Sequence, residues 1–443
     1  MRPLSVFLLL FSTCMCFSAC QRSKSESMSA REEAFVLHQN EDKLTQLIIY
    51  DVFTPPVASR IYAYSALASY EAMRFQDSKY KSIVAQLRGF GPIAAPEKGK
   101  KYNFTLAATQ AFFTVVRKVT FSVDSLKGYE DRLYAKFKSG MDDSTFARSI
   151  AFGDSVAKVI LKRASTDNYQ QTRFKPKFLG SQNPGMWRPT APDYLDGVEY
   201  CWGTMKTFAL DTSSQITLPP PPVYSEDKNS TYYKQNLEVY EQSKTLTQEQ
   251  KDIARYWDDN PFVMEHAGHM TFANKKITPG GHWIGITAIA CKKTDADAVK
   301  TAQAYALTSV AMYDAFICCW NIKYQTSYIR PVTVINDLID PNWLPRLQTP
   351  PFPEYPSGHS TITRSAAVML THLFGDHFAF QDTSDLRYIG MKRDFKSFVQ
   401  AADEASISRF YGGLHYKNSV DKGAEQGKKV SEYILSKLKL VNP

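Results

Sequence analysis

Between Val299 and Trp320 the chain holds a long run whose apolar residues, Ala302, Ala306, Val310, Tyr313, Ile317 and Trp320, recur every three or four positions. That period is the period of an α-helix, so one stripe is expected to be buried while Lys300 and Asp314 face water. The same spacing recurs in Val57 to Phe75, Phe104 to Val119, Phe146 to Leu161 and Val430 to Leu438. Strictly alternating strand patterns are scarce, and the expected fold class is all-α. A chain of 443 residues with 44% hydrophobic residues can bury a sizeable core, as three domain-sized units or one large helical body. With 22% charged residues, Gly 21 and Pro 23, it is neither disordered nor collagenous nor of low complexity. The net charge of +9 is spread without any run of five or six basic residues, which argues against nucleic acid and leaves room for a concentrated anion site. No internal repeat is visible.

The N-terminus reads as a targeting segment. Arg2 precedes the apolar run Leu4 to Phe17, which is too short for a comfortable membrane span. The boundary Phe17-Ser18-Ala19-Cys20 resembles a bacterial lipobox, with Phe17 in place of the usual leucine. The resemblance implies cleavage before Cys20 and diacylation of that cysteine. Residues 1–19 are then a lipoprotein signal peptide, and 20–34, polar and small, form a tether. The expectation is an exported protein on the periplasmic or surface side of a bacterial cell envelope, touching the membrane only through its N-terminal lipid. Cys201, Cys291, Cys318 and Cys319 show neither metal-ligand spacing nor a disulfide framework, and the last two read as core thiols.

Two divisions follow. Residues 35–244 form an N-terminal helical region that ends in a proline-interrupted excursion, Asp167 to about Lys244, expected to wrap irregularly over the surface. Residues 245–443 form a C-terminal helical domain containing a second irregular stretch, Thr326 to Glu354, rich in proline.

Three C-terminal segments concentrate groups suited to a tetrahedral oxyanion. Lys323 and Arg330 are two cations with six residues between them, and Pro331 ends the helical continuation. Pro356-Ser357-Gly358-His359 precedes an apolar helical run, so free amides, a hydroxyl and an imidazole gather at a helix start. In Ser408-Arg409-FYGGL-His415, Gly412 and Gly413 allow a bend that lets Arg409 and His415 face one pocket. Each segment alone has an ordinary structural explanation, and the functional reading rests on their conjunction.

Together the segments match KX6RP, PSGH and SRX5H, and the chain resembles the vanadium-dependent haloperoxidases within the type 2 phosphatidic acid phosphatase superfamily. DDNPF at Asp258 to Phe262 and TPGGHW at Thr278 to Trp283 look like the bacterial haloperoxidases. The resemblance implies helical bundles, with the anion site at one end of the C-terminal four-helix bundle. It implies vanadate as cofactor, for which phosphate can substitute, and hydrogen peroxide and halide as partners. His415 is then the metal ligand. Lys323, Arg330, Ser357, Gly358 and Arg409 bind the oxyanion, His359 is the acid/base, and Lys323 assists catalysis. Phe352 and Trp320 are halide-pocket candidates.

The superfamily pattern usually continues with a carboxylate four residues after the last histidine, where this chain has Ser419. The expectation is that His415 lacks a carboxylate partner, which favours a metal ligand over a phosphatase nucleophile. Two alternatives stay open: a phosphatase using a phosphohistidine at His415, and a non-catalytic oxyanion-binding lipoprotein. His266, His269 and His282 are expected to be structural rather than a second metal site. Asp258 and Asp259 are candidate partners of Arg409 or His359.

Overall fold

A computed structural model describes residues 28–261, 263–267, 269–273 and 276–441, with the side chains of 264–267 and 270–273 outside the description. The expected signal peptide and Cys20 lie outside the described residues. Helices start where the sequence supplies side-chain caps. Ser29 and Glu32 close a capping box ahead of α1 (Ala30–Tyr50), so helix begins inside the segment expected to be tether. Thr54 followed by two prolines opens α2 (Pro55–Met73), Asn103 caps α3 (Phe104–Val119), and Asp142 caps α5 (Asp143–Ala164), which follows α4 (Lys127–Ser139).

The proline-rich excursion carries a short α6 (Tyr169–Arg173) and ends in a regular helix, α7 (Thr231–Lys244), followed by α8 (Gln248–Tyr256). It is not only a surface wrap, because Trp187, Trp202 and Phe208 within it are fully buried. Two small antiparallel hairpins interrupt the helices: β1 (Met264–Ala267) with β2 (Met270–Ala273), and β3 (Phe380–Asp382) with β4 (Arg393–Phe395). The remaining helices are α9 (Pro279–Lys293), α10 (Ala298–Thr326), α11 (Pro331–Leu338), α12 (Gly358–Phe374), α13 (Leu386–Ile389), α14 (Phe398–Tyr411) and α15 (Lys417–Lys437). The all-α class holds, and no described helix is long and apolar enough to cross a membrane.

The 29-residue α10 joins the two halves. It packs against α1 and α2 in the N-terminal half, where α2, α3 and α5 also pack together, and against α12 and α15 in the C-terminal half. A helix covered on all sides is not amphipathic, and this is why Asp314 is buried rather than wet as its position in the stripe suggested. Its carboxylate accepts the amides of Phe208, Ala209 and Leu210 at 2.7, 2.8 and 3.1 Å, tying the excursion to α10. Burial still pushes it up to about 6, against the pull of those amides.

The C-terminal bundle of α10, α12, α14 and α15 is closest where α15 crosses α12. A Cβ at Gly427 would lie 2.0 Å from the Thr361 carbonyl, and one at Gly423 would lie 2.5 Å from the Ser357 carbonyl. Glycine at these two positions sets the distance between α15 and the start of α12, and so positions the segment that carries Ser357, Gly358 and His359.

Candidate active site

The end of α10, the proline-rich loop before α12 and the turn from α14 to α15 meet at one end of this bundle. Prolines in the loop have no N–H to donate, so its carbonyls need donors from elsewhere. Lys323 and Arg330 provide them. The Lys323 ammonium donates to the carbonyls of Pro353, Glu354 and Pro356 at 2.8, 3.0 and 2.6 Å. The Arg330 guanidinium donates to Phe352 and Pro350 at 2.9 and 3.4 Å, and to Leu414 at 3.0 Å. Both side chains are 0% exposed. Burial pulls Lys323 down to about 7 and Arg330 to about 10, while three carbonyl acceptors favour the charged ammonium. The two cations therefore staple the loop and place their charge directly behind the site wall.

Gly412 caps α14, Gly413 takes φ +77°, and His415 follows in the turn before α15. Its Nδ1 lies 2.8 Å from Glu354 Oε1, and its Nε2 lies 3.1 Å from Arg330 Nη1. A guanidinium cannot accept, so Nε2 bears the lone pair and Nδ1 donates its proton to Glu354. Burial, then Arg330, Lys323 and Arg409, hold the imidazole neutral, well below the ordinary histidine range. Glu354 also accepts the Tyr416 amide at 3.1 Å and the Ser419 hydroxyl at 2.6 Å. The expectation that His415 lacks a carboxylate partner is thus corrected. The carboxylate comes from the loop before α12, and Ser419, at the expected carboxylate position, hydrogen-bonds to it.

Ser357 caps α12, accepting from the Ser360 amide and hydroxyl at 3.4 and 2.9 Å. The first amides of that helix, beginning at Gly358, have no intrahelical acceptor. Beside them opens a narrow cavity lined by Trp320, Phe352, Gly358, His359, Arg409 and His415, with Asp259, Asn260 and several prolines on the remaining wall. His359 is half-buried there, and its Nε2 has no hydrogen-bond partner. Desolvation, then Arg409 and His282, hold it well below its usual range. Arg409 donates through Nη1 to the Trp257 carbonyl at 2.9 Å, while its buried Nε is unpaired. Trp320 and Phe352 pack with ring centroids 5.0 Å apart, and the Lys323 ammonium lies 5.2 Å from the Phe352 ring centre.

The expected site residues all gather here. Trp320, Phe352, Gly358, His359, Arg409 and His415 face the cavity, while Lys323, Arg330 and Ser357 stand behind its wall. Asp258 and Asp259 approach Arg409 electrostatically, but their direct bonds go elsewhere: Asp258 to Lys276 at 2.5 Å, Asp259 to His282 at 3.1 Å. His282 is fully buried among Asp259, Asp382 and Asp385. The side chain of His266 lies outside the described residues, and His269 is exposed.

Residues 303–442 match the family described as the VCPO second helical-bundle domain. A solved bacterial vanadium-dependent iodoperoxidase shares 43% identity with a TM-score of 0.88, covering 95% of this chain and 100% of that one. The chain belongs to the vanadium-dependent haloperoxidases. A holo-type bacterial vanadium-dependent chloroperoxidase shares the fold of this haloperoxidase, at 16% identity, a TM-score of 0.69 and coverage of 88% and 94%. No curated protein sequence matches significantly. In this haloperoxidase Glu354, bonded to His415, is the residue of the site that sequence reading missed. Its only linear signal is a lone acid two residues before Pro356 in the loop.

Proposed function

We propose that this haloperoxidase oxidises halide with hydrogen peroxide, iodide foremost, using vanadate held in the His415 cavity; the iodide assignment rests on the 43% identical iodoperoxidase. The carrying observation is the fixed tautomer of His415, whose neutral Nε2 lone pair is presented among Arg330, Lys323 and Arg409. The remaining groups fit an oxyanion. Arg409 Nε and His359 Nε2 are buried polar atoms without a partner, and a Cβ at Gly358 would meet the Trp320 ring at 3.3 Å, so bare backbone borders the cavity. When bound, vanadate supplies a Lewis acid for hydrogen peroxide that needs no change of oxidation state.

The chain's own residues do the rest. His415, oriented by Glu354, would hold the metal through Nε2. Arg409 and the Gly358 amide would hold the oxyanion, Ser357 would add its hydroxyl, and Arg330 and Lys323 would neutralise charge from behind. Lys323 is held in one position, because its three donors are spent on the loop. His359 moves a proton at Nε2, and Trp320 and Phe352 exclude water on the halide side. The His415–Glu354 pair equally suits a nucleophilic imidazole, so a phosphatase on this site is the second reading.

Mature protein incubated with orthovanadate, peroxide and iodide, bromide or chloride is expected to oxidise iodide, with the activity lost in His415→Ala. Phosphate release from a phosphomonoester, blocked by vanadate and without halide oxidation, would select the phosphatase. The lipobox-like boundary supports attachment to the cell envelope through Cys20, expected to be seen as acyl labelling that Cys20→Ala abolishes.

A further inference from the structure

Halide oxidation consumes acid: one halide, one peroxide and one proton give one hypohalous acid and one water. The peroxide O–O bond breaks, a halogen–oxygen bond forms, the halide loses two electrons to the peroxide, and the departing oxygen leaves as water with the added proton. The active-site cavity lies at the end of a buried bundle, and its wall has to admit that proton each turnover.

His282, 0% exposed at the start of α9, bridges two carboxylates. Its Nδ1 lies 3.1 and 3.2 Å from the Asp259 oxygens and its Nε2 lies 2.9 Å from Asp382 Oδ2, with Asp385 Oδ2 3.8 Å from Nδ1. Asp259 belongs to the active-site wall beside His359 and Arg409. Gly281 and Thr383, chain neighbours of His282 and Asp382, and Ser384, whose amide donates to Asp382 Oδ1 at 2.9 Å, line a second cavity of about 340 Å³. Exposed Phe35, Lys292 and Arg387 share that second cavity, which places its mouth at the surface. We infer that Asp382, His282 and Asp259 relay protons from this second cavity to the active-site cavity. In each transfer the Nδ1 proton of the imidazolium leaves to Asp259, the ring turns over to bring the vacated nitrogen to Asp382, and that nitrogen takes up the proton that Asp382 has received from the second cavity, so the imidazolium is regenerated.

A buried imidazolium has two N–H groups, and each needs an acceptor. Here each ring nitrogen has its own, a third acid stands close, and Asp385 Oδ1 has no partner. The groups around the ring are Asp259, Asp382 and Asp385, with Tyr256 edge-on and Trp257 stacked at 4.5 Å; Asp258 with Lys276, and Arg409 with His359, lie beyond. Desolvation opposes the charge on His282, but the three aspartates outweigh it, and burial raises Asp385 to about 7, so a carboxyl beside the relay titrates near neutral pH.

The relay rests on the haloperoxidase reading, and the test separates the two. Vanadate-loaded wild type, His282→Gln and Asp382→Asn are assayed for iodide oxidation between about pH 5 and about pH 8, in water and in deuterium oxide, with vanadate dissociation constants measured alongside. The relay predicts that kcat of either variant falls about tenfold at the alkaline end and at most about twofold at the acid end. The solvent isotope effect should rise, and the vanadate dissociation constant should stay within about twofold. A pH-independent loss, or a loss that tracks vanadate affinity, makes His282 a clamp and overturns the relay. So does one equivalent of a divalent metal bound in addition to vanadium, because His282 would then be its ligand. Asp382→Asn keeps the imidazole and decides the matter if His282→Gln does not fold. A wild type without vanadate-dependent oxidation overturns the functional reading and the relay together.

Discussion

Glu354 and His415, 61 residues apart in the chain, meet with Oε1 2.8 Å from Nδ1, and that contact determines which nitrogen of the imidazole carries a lone pair. Replacing Glu354 with glutamine keeps the size but removes the anionic acceptor and permits the other tautomer. Vanadate affinity is expected to fall about 10–100-fold, the usual cost of losing the hydrogen-bond partner of a metal-bound histidine. Titration of apoprotein with vanadate, followed by intrinsic fluorescence, measures it. Ser419→Ala, which removes one donor to Glu354, should cost less.

Phe352 lies beneath two cations, with Lys323 Nζ 5.2 Å and Arg330 Cζ 5.0 Å from its ring centre. Phe352→Leu preserves apolar volume and removes the ring's negative face. A loss of about 0.5–2 kcal/mol in cation stabilisation is expected, read as weaker vanadate binding together with a changed halide KM. An unchanged halide KM would remove Phe352 from the halide side of the cavity.

The crossing of α12 and α15 has no room for a methyl group. Gly427→Ala places Cβ 2.0 Å from the Thr361 carbonyl, so the helices must separate. Overpacking of this kind costs about 1–3 kcal/mol, and a thermal melt should show it. Gly423→Ala, 2.5 Å from the Ser357 carbonyl, should also weaken vanadate binding, because it displaces the cap of α12.

Glu41 on α1 is 3% exposed, with Oε2 unpaired, and burial pushes its carboxyl up to about 8. A folded pKa above the unfolded value means the native state binds the proton more tightly. The stability this contributes is complete below about 4.5 and is lost as pH rises to about 8. Glu41→Gln keeps a neutral side chain throughout. Its melting temperature relative to wild type should therefore rise across that window, by the equivalent of a few kcal/mol at most. A constant difference between pH 5 and pH 8 would place the Glu41 proton elsewhere.

The helical period, the caps and the three short motifs are local properties, and they were readable because hydrophobic spacing and capping act over a few residues. They marked α10 and the start of α12, and named Lys323, Arg330, Gly358, His359, Arg409 and His415 as one group. Tertiary structure alone decided what those groups touch. Asp314 is buried because α10 is shared by two bundles, and Lys323 spends its donors on carbonyls that proline leaves without neighbours. Glu354 replaces the acid that Ser419 does not provide, and His282 finds its aspartates across two other segments. Such pairings are set by burial, which forces each polar group to find a partner wherever packing brings one within reach, and distance along the chain carries no record of it.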